Sequence, residues 1–419
     1  MKFIIKKGMG IMRSIRKAIG QDERNIHPTW VLDLKSKILN PPKISTYINN
    51  NEEVILIGTQ DGKLYQMKTS GQVMWTFSAN NDLSEEELMF VDSETVNSIN
   101  TIPLVVELND KQIILFGTES GTLFCIDTTG NLLWKGETQG PIRGQPILSN
   151  FKSKEKQIIV GSSDGNLYLF SKTGNLTEII PIESPIETSP LHAKNMIVVG
   201  TRDGEVVAIN EESEIIWRFK TEDRITANII PTLLTDEGVD VLLVASQDNN
   251  LYALNFEGET QWTFPTEGAL ISEVVAKDIN GDNKKEIIFG SCDNKIYCVD
   301  DNGELVWSYE TDFWVAATPI ISETDKHGNV EIIAGSYDHK IYVLDGQGDY
   351  KLDYIPGLNG VINQTGHYSN TIHSEVGKNQ GKLLCTYPLE GNIVGCAKIN
   401  SGEIIANTKD GKIYNIRVN

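Results

Sequence analysis

The chain reads as an all-β protein, an eight-bladed β-propeller of four-stranded antiparallel blades whose ring is closed by an N-terminal strand pairing with the C-terminal blade. Three observations predict this. A short motif recurs eight times, four consecutive copies are spaced by 45 residues (Gly200, Ala245, Gly290, Gly335), and the last copy stops one strand short. The copies read IGTQDGKLYQM from Ile57, FGTESGTLFCI from Phe116, VGSSDGNLYLF from Val160, VGTRDGEVVAI from Val199, VASQDNNLYAL from Val244, FGSCDNKIYCV from Phe289, AGSYDHKIYVL from Ala334 and ANTKDGKIYNI from Ala406. Repeats of this length with strand-turn-strand periodicity stack their sheets around an axis, because one unit alone cannot bury its apolar faces.

Each element follows from local chemistry. The motif is a strand, a two-residue turn and a second strand, and Asp-Gly or Asp-Asn supplies the positive φ such hairpins need. Ten residues past the turn position a Gly marks a second turn in six of seven copies, Ser213 being the exception. Fourteen residues past it a Trp falls in five of seven (Trp75, Trp134, Trp217, Trp262, Trp307), with Glu178 and Leu352 departing. These tryptophans close a third strand, as in WTF, WRF and WSY. Upstream, Ile99 to Pro103, Ile142 to Pro146, Ile186 to Pro190 and Val315 to Pro319 mark a further short strand. The eighth copy ends at Asn419 without its outermost strand. The segment around Trp30 carries a Trp in the vacant slot, and its pairing with the last copy would remove the exposed edges of an open ring.

The repeat Asp-Gly-x-Leu-Tyr, then Gly, then Trp, clearest from Asp61 to Trp75, resembles the tryptophan-docking repeat of the PQQ-like propeller superfamily. That superfamily includes quinoprotein dehydrogenases and the outer-membrane assembly lipoprotein scaffold. The resemblance covers residues from Trp30 to Asn419. It implies that Trp30, Trp75, Trp134, Trp217, Trp262 and Trp307 pack between neighbouring blades. The WD40 pattern fits less well, since no Trp here is followed by Asp. The fold hosts many activities, so function has to come from a site.

Composition narrows the classes. With 57 acidic against 37 basic residues the net charge is -20, a field that repels phosphate backbones, so nucleic acid is not an expected partner. The five cysteines are scattered without a CxxC pair, which fits a reducing compartment; a cytoplasmic protein is expected. The superfamily's dehydrogenases hold their quinone with adjacent cysteines and a calcium-bound carboxylate set in the central funnel, and no Cys-Cys pair exists here. The six histidines show no ligand spacing, and no nucleophile elbow or phosphate loop is present. The expectation is therefore a protein that is not an enzyme and holds no cofactor, with one reservation concerning Ca²⁺.

That reservation is the loop 278–286. Asp278, Asn280, Asp282 and Glu286 place oxygens at positions 1, 3, 5 and 9, with the Lys284 carbonyl at position 7. Such alternation is how a tight loop surrounds Ca²⁺, and it resembles the calcium loop of FG-GAP and integrin-type blades. The same residues also suit a metal-free Asn-Gly loop whose aspartates cap their own backbone. Residues 236–240 and 325–331 echo it.

Candidate contact residues stand where the rhythm breaks. Phe313 and Trp314 lie on the linker into an inner strand, where an exposed aromatic pair suits an interface anchor and a buried plug is the other reading. An acidic insertion near 80–97 carries Leu88, Met89 and Phe90, and a second insertion spans about 357–391, where an extra hairpin or a degenerate ninth repeat fits. Residues 1–28 hold seven bases against two acids, a charge of +5 before a body of -25. Ile11, Ile15, Ala18 and Ile19 share a helical face there, so this arm reads as a basic amphipathic helix or a disordered tail. The leading functional expectation is a non-catalytic scaffold for protein partners, using one loop-rich face that includes both insertions and Phe313–Trp314. The alternatives are a ligand or Ca²⁺ sensor or an enzyme using the central funnel, and a peripheral membrane adaptor using the arm.

Overall fold

A computed structural model describes residues 26–47, 51–80, 97–108, 111–235, 240–323, 330–347, 361–362, 368–369, 380–400 and 403–418. It contains eight four-stranded antiparallel sheets, each a blade. In blades one to seven the strand order across the sheet follows the chain, so each blade is a meander. Blade one, for example, runs Lys43–Tyr47, Glu52–Gly58, Lys63–Lys68 and Val73–Ser78. First strands of neighbouring blades touch one another, as do Lys43–Tyr47 and Ile393–Asn400, which places them around the axis.

Burial explains the residue pattern strand by strand. Second and third strands are sandwiched between two neighbouring blades, so both faces are apolar and runs such as Ile55, Leu56, Ile57 and Ile114, Leu115, Phe116 are fully buried. Fourth strands lie on the rim and are largely exposed, Val73 and Met74 or Leu132 and Leu133 included, where a bulge opens each strand. The first residue of each two-residue turn is an Asp in most copies, and the residue after it takes positive φ: Gly62 at 75°, Asn249 at 71°, Asn294 at 71°, His339 at 70°.

Blade eight is the exception that closes the ring. Ile393–Asn400, Glu403–Thr408 and Lys412–Val418 are joined by Ile26–Asp33, which pairs antiparallel to the last strand from Ile26↔Val418 to Asp33↔Lys412. Trp30 donates its indole N–H to the Thr69 carbonyl of blade one at 2.8 Å. The edge that an open ring would leave is thereby covered.

Two details differ from the repeat as read along the chain. The run LLCTY belongs to Lys382–Pro388, the outer strand of blade seven. The slot expected at Leu352 is therefore filled by Cys385, which pairs with Val343 as Trp307 pairs with Cys298. A stretch of chain has been inserted between the third and fourth strands, so counting from the turn lands in the insertion rather than on the rim. No ninth blade forms among the described residues; within the insertion, Val361–Ile362 pairs with Tyr368–Ser369. The second difference concerns direction. In an antiparallel meander, loops after strands one and three emerge on one face, and loops after strands two and four on the other. Residues 81–96 leave from the second of these, here called the turn face. The blade-seven insertion leaves from the opposite face, so the expectation of one face carrying both insertions is corrected.

Candidate interaction face

Eight linkers on the turn face carry the chain from one blade into the next, and all eight are built alike. Each ends in an aliphatic plug (Ile38, Ile99, Ile142, Ile186, Ile225, Leu270, Val315 or Ile393) that is at most 1% exposed. Most of these plugs sit where the anchor glycine leaves room: a Cβ on Gly117 would come within 2.3 Å of Ile142, and one on Gly290 within 2.4 Å of Val315. The carbonyl just before each plug accepts an N–H from the next blade's turn at 2.8–3.0 Å, as in Ser163 to Pro141, Cys292 to Ala269 and Tyr337 to Trp314.

Because this scaffolding is made by backbone, the two residues before the plug are free to vary. They are Ser36-Lys37, Asn97-Ser98, Gly140-Pro141, Ser184-Pro185, Asp223-Arg224, Gly268-Ala269 and Gly391-Asn392 at seven linkers. At the eighth they are Phe313-Trp314. The backbone does the same work there: the Phe313 carbonyl accepts from Thr311 Oγ1 at 2.6 Å and Ser336 Oγ at 3.0 Å, as the Gly268 carbonyl accepts from Thr266 and Ser291. Nothing in the linker requires aromatic rings. The two rings stack on each other with centroids 5.3 Å apart and planes 19° apart, and Trp314 continues to Tyr337 at 6.5 Å. Phe313 is 46% and Trp314 42% exposed, which removes the plug reading and leaves an apolar step in solvent. Leu88, Met89 and Phe90 lie outside the described residues, as do residues 1–25.

The turn aspartates on this face are staples between blades. Asp293 Oδ2 accepts the Tyr297 hydroxyl at 2.7 Å and the Glu267 N–H of the incoming linker at 3.0 Å; Asp164 and Asp248 repeat both contacts. At these three positions the carboxylate ties the turn to the incoming linker.

Near the opposite face, along the rim, the docking tryptophans do the same job. Trp75, Trp217, Trp262 and Trp307 donate to carbonyls of the next blade at 2.9–3.1 Å. Each ring lies against a glycine: Gly71 on Trp30, Gly130 on Trp75, Gly174 on Trp134, Gly258 on Trp217, Gly303 on Trp262 and, from the root of the insertion, Gly381 on Trp307. Where the repeat lacks the Trp it also lacks the Gly, and the two departures meet. Glu178, in the Trp register opposite Leu169, accepts from Ser213 Oγ at 2.6 Å and from Lys152 Nζ at 2.7 and 2.8 Å. Against the upward pull of burial, Lys152 and Ser213 hold the Glu178 carboxyl below its ordinary value. Glu178 and Ser213 were visible in the sequence as separate exceptions. Their pairing was not, because Lys152 lies outside the repeat.

The loop 278–286 sits between the first and second strands of blade six, Val275–Lys277 and Glu286–Gly290. Its oxygens turn onto its own backbone. Asp278 Oδ1 accepts from Gly281 N at 2.6 Å and Asn280 N at 3.2 Å, and its Oδ2 accepts from Asn283 N at 3.0 Å. Asn280 Oδ1 accepts from Asp282 N at 2.8 Å, and Asp282 Oδ1 from Lys284 N at 2.9 Å. Glu286 accepts from Ile279 N at 3.0 Å and from Asn280 Nδ2 at 2.7 Å, while the Lys284 ammonium pairs with Asp301 at 3.0 Å. Burial pulls the Asp278 carboxyl upward, yet the N–H groups of Gly281, Asn283 and Asn280 hold it below its ordinary range; burial pushes that of Glu286 up. Among the described residues no group of three or more His, Cys, Asp or Glu could hold a metal ion.

Fold and joints together define the class, an eight-bladed propeller whose blades are locked by tryptophan-glycine docking at the rim. Residues 29–193 match the family described as outer membrane protein assembly factor BamB, and residues 196–274 and 265–356 match the Lambda-carrageenase beta-propeller domain. Among solved structures the chain is similar to BamB from Moraxella catarrhalis (TM-score 0.61, 15% identity, covering 94% of this chain and 100% of that one). It is also similar to the computationally designed Ika8 protein (TM-score 0.62, 15% identity, 92% and 97% covered). No curated protein matches it in sequence. These matches support a PQQ-like β-propeller family; at these identities the structural likenesses speak for the fold.

Proposed function

We propose that this propeller is a non-catalytic scaffold that binds protein partners through its turn face, with the Phe313–Trp314 step as the anchor. The observation that carries the reading is the comparison of the eight linkers. Seven fill the same two positions with small, polar or charged residues or proline, and one spends two large aromatics on solvent, where they contribute little to the ring. Aromatic anchors at the centre of a contact patch are where binding energy concentrates. The likeness to BamB, described as an assembly factor, is compatible with this reading. Residues 81–96 depart from the same face and are proposed as a second contact element.

The test is capture of partners from the native host by the full chain, with and without Trp314→Ala. Loss of a specific partner in the variant, with an unchanged melting curve, supports the reading; an unchanged partner set removes its anchor. Separating the host's membranes from its cytoplasm checks the accompanying proposal that the protein works in the cytoplasm, and recovery of the chain with membranes would point instead to the basic arm.

A further inference from the structure

The surroundings of the aromatic step indicate what kind of partner it takes. Asp312, immediately before Phe313, has a side chain 73% exposed, and Glu267 on the preceding linker 83%. Each is met by one lysine: Asp312 by Lys340, and Glu267 by Lys295 at 3.3 Å. The turn carboxylates Asp293 and Asp338 stand next to them, holding backbone N–H and tyrosine hydroxyl groups. This sector thus carries four carboxylates against two ammonium groups, on a body whose residues 29–419 sum to -25. The excess negative charge of this sector disfavours an anionic ligand. Exposed pairs such as Lys340–Asp312 contribute little, so an incoming cation can replace the lysine at small cost.

Resting on the scaffold reading above, we propose that the Phe313–Trp314 step docks an arginine-rich segment of a partner protein, one guanidinium stacking on the exposed indole while Asp312 and Glu267, on neighbouring linkers, receive N–H groups from other arginines of the same segment. A planar guanidinium suits both halves of this site, since it stacks on an aromatic face and forks onto carboxylates, whereas a lysine ammonium supplies only a point charge. The ring of Trp314 is presented for this: its own stack with Phe313 occupies one side, and its backbone is pinned to Tyr337 and Ser336.

Nona-arginine and nona-lysine are titrated into the full chain at about 0.1 M salt, where exposed charges more than about 10 Å apart are largely screened. Nona-arginine should bind several-fold more tightly than nona-lysine, and Trp314→Ala should weaken nona-arginine about tenfold, a change typical of a lost cation–π contact, with nona-lysine nearly unmoved. Trp314→Phe should recover part of the loss, and Asp312→Asn should weaken both peptides. Equal affinity of the two peptides, or equal loss of both in Trp314→Ala, overturns the proposal. So does tighter nona-arginine binding after deletion of residues 1–25, which would make this chain's own basic arm the occupant. If Trp314→Ala loses a native partner while nona-arginine binding is unchanged, the scaffold reading stands and the arginine chemistry falls.

Discussion

A methyl group placed on Gly258 would sit 2.8 Å from Cδ2 and Cε3 of Trp217, far inside contact distance, at a φ of +84°. Two costs add. The left-handed backbone costs an L-residue roughly 1–2 kcal/mol, and overpacking a filled joint adds about 1–3 kcal/mol. The first is the smaller here, because Ser213 already holds φ 67° at the matching turn where Glu178 replaces the ring. If the indole is pushed away, its hydrogen bond to the Phe256 carbonyl, 2.9 Å long, goes too, a further ~1 kcal/mol. Gly258→Ala should therefore destabilise by about 3 kcal/mol in urea titrations. Trp217→Leu alone should lose about 2–4 kcal/mol through the vacated space. In the double variant the clash has no partner, so its loss should fall short of the sum by about 1–2 kcal/mol. A cost below about 0.5 kcal/mol for Gly258→Ala, or strict additivity of the two changes, would refute tryptophan-on-glycine docking as the rim lock.

Three further outcomes follow from the same structure. Removing residues 1–34 uncovers the Lys412–Val418 edge and deletes the Trp30 bond to Thr69; the truncated chain should sediment as oligomers or fail to fold, and a monomer melting like the parent would show the ring does not need that strand. Burial raises the Glu119 carboxyl, but Arg143, donating at 2.9 and 3.0 Å, and Asn100 at 2.8 Å outweigh it and hold it below its ordinary 4.5. A depressed carboxyl stabilises the fold above its unfolded pKa and ceases to do so as pH falls through the folded one. The melting gap between parent and Glu119→Gln should therefore be full near neutrality and close as pH falls below about 4, and a gap constant from pH 7 to 3 would exclude the linkage. Finally, with the loop 278–286 capped by its own backbone, chelator or millimolar Ca²⁺ should move the melting temperature by less than about 1 °C; a rise of several degrees that scales with Ca²⁺ would establish the calcium reading instead.

Most of the architecture could be read along the chain because each strand of a propeller blade leaves its own local mark. Asp61-Gly62 fixes a hairpin, Gly71 a turn and Trp75 a rim position, and 45-residue spacing repeats these marks without help from distant contacts. What stayed hidden depended on three-dimensional meeting. Cys385 occupies a rim slot that counting assigns to Leu352, since an insertion between paired strands leaves pairing intact while breaking the count. Lys152 completes the Glu178–Ser213 clasp from a loop with no repeat partner. The separation of the two insertions onto opposite faces follows from strand parity, which needs the blade-seven pairing to be known. Phe313–Trp314 was legible as an anomaly, and only the alignment of eight linkers in space showed that the scaffold has no use for the rings.

The seam between Thr29 and Asn415 joins residues 386 positions apart. At roughly 5–20 residues per second of synthesis, the first strand of the ring waits about 20–80 s for its mate to leave the ribosome. Throughout that interval an apolar, hydrogen-bond-hungry ribbon trails from a growing stack of finished vanes, available to any other nascent copy on the same message. Assembly of this disc is thus vulnerable at its earliest-made piece, and slow codons late in the gene would lengthen the exposure.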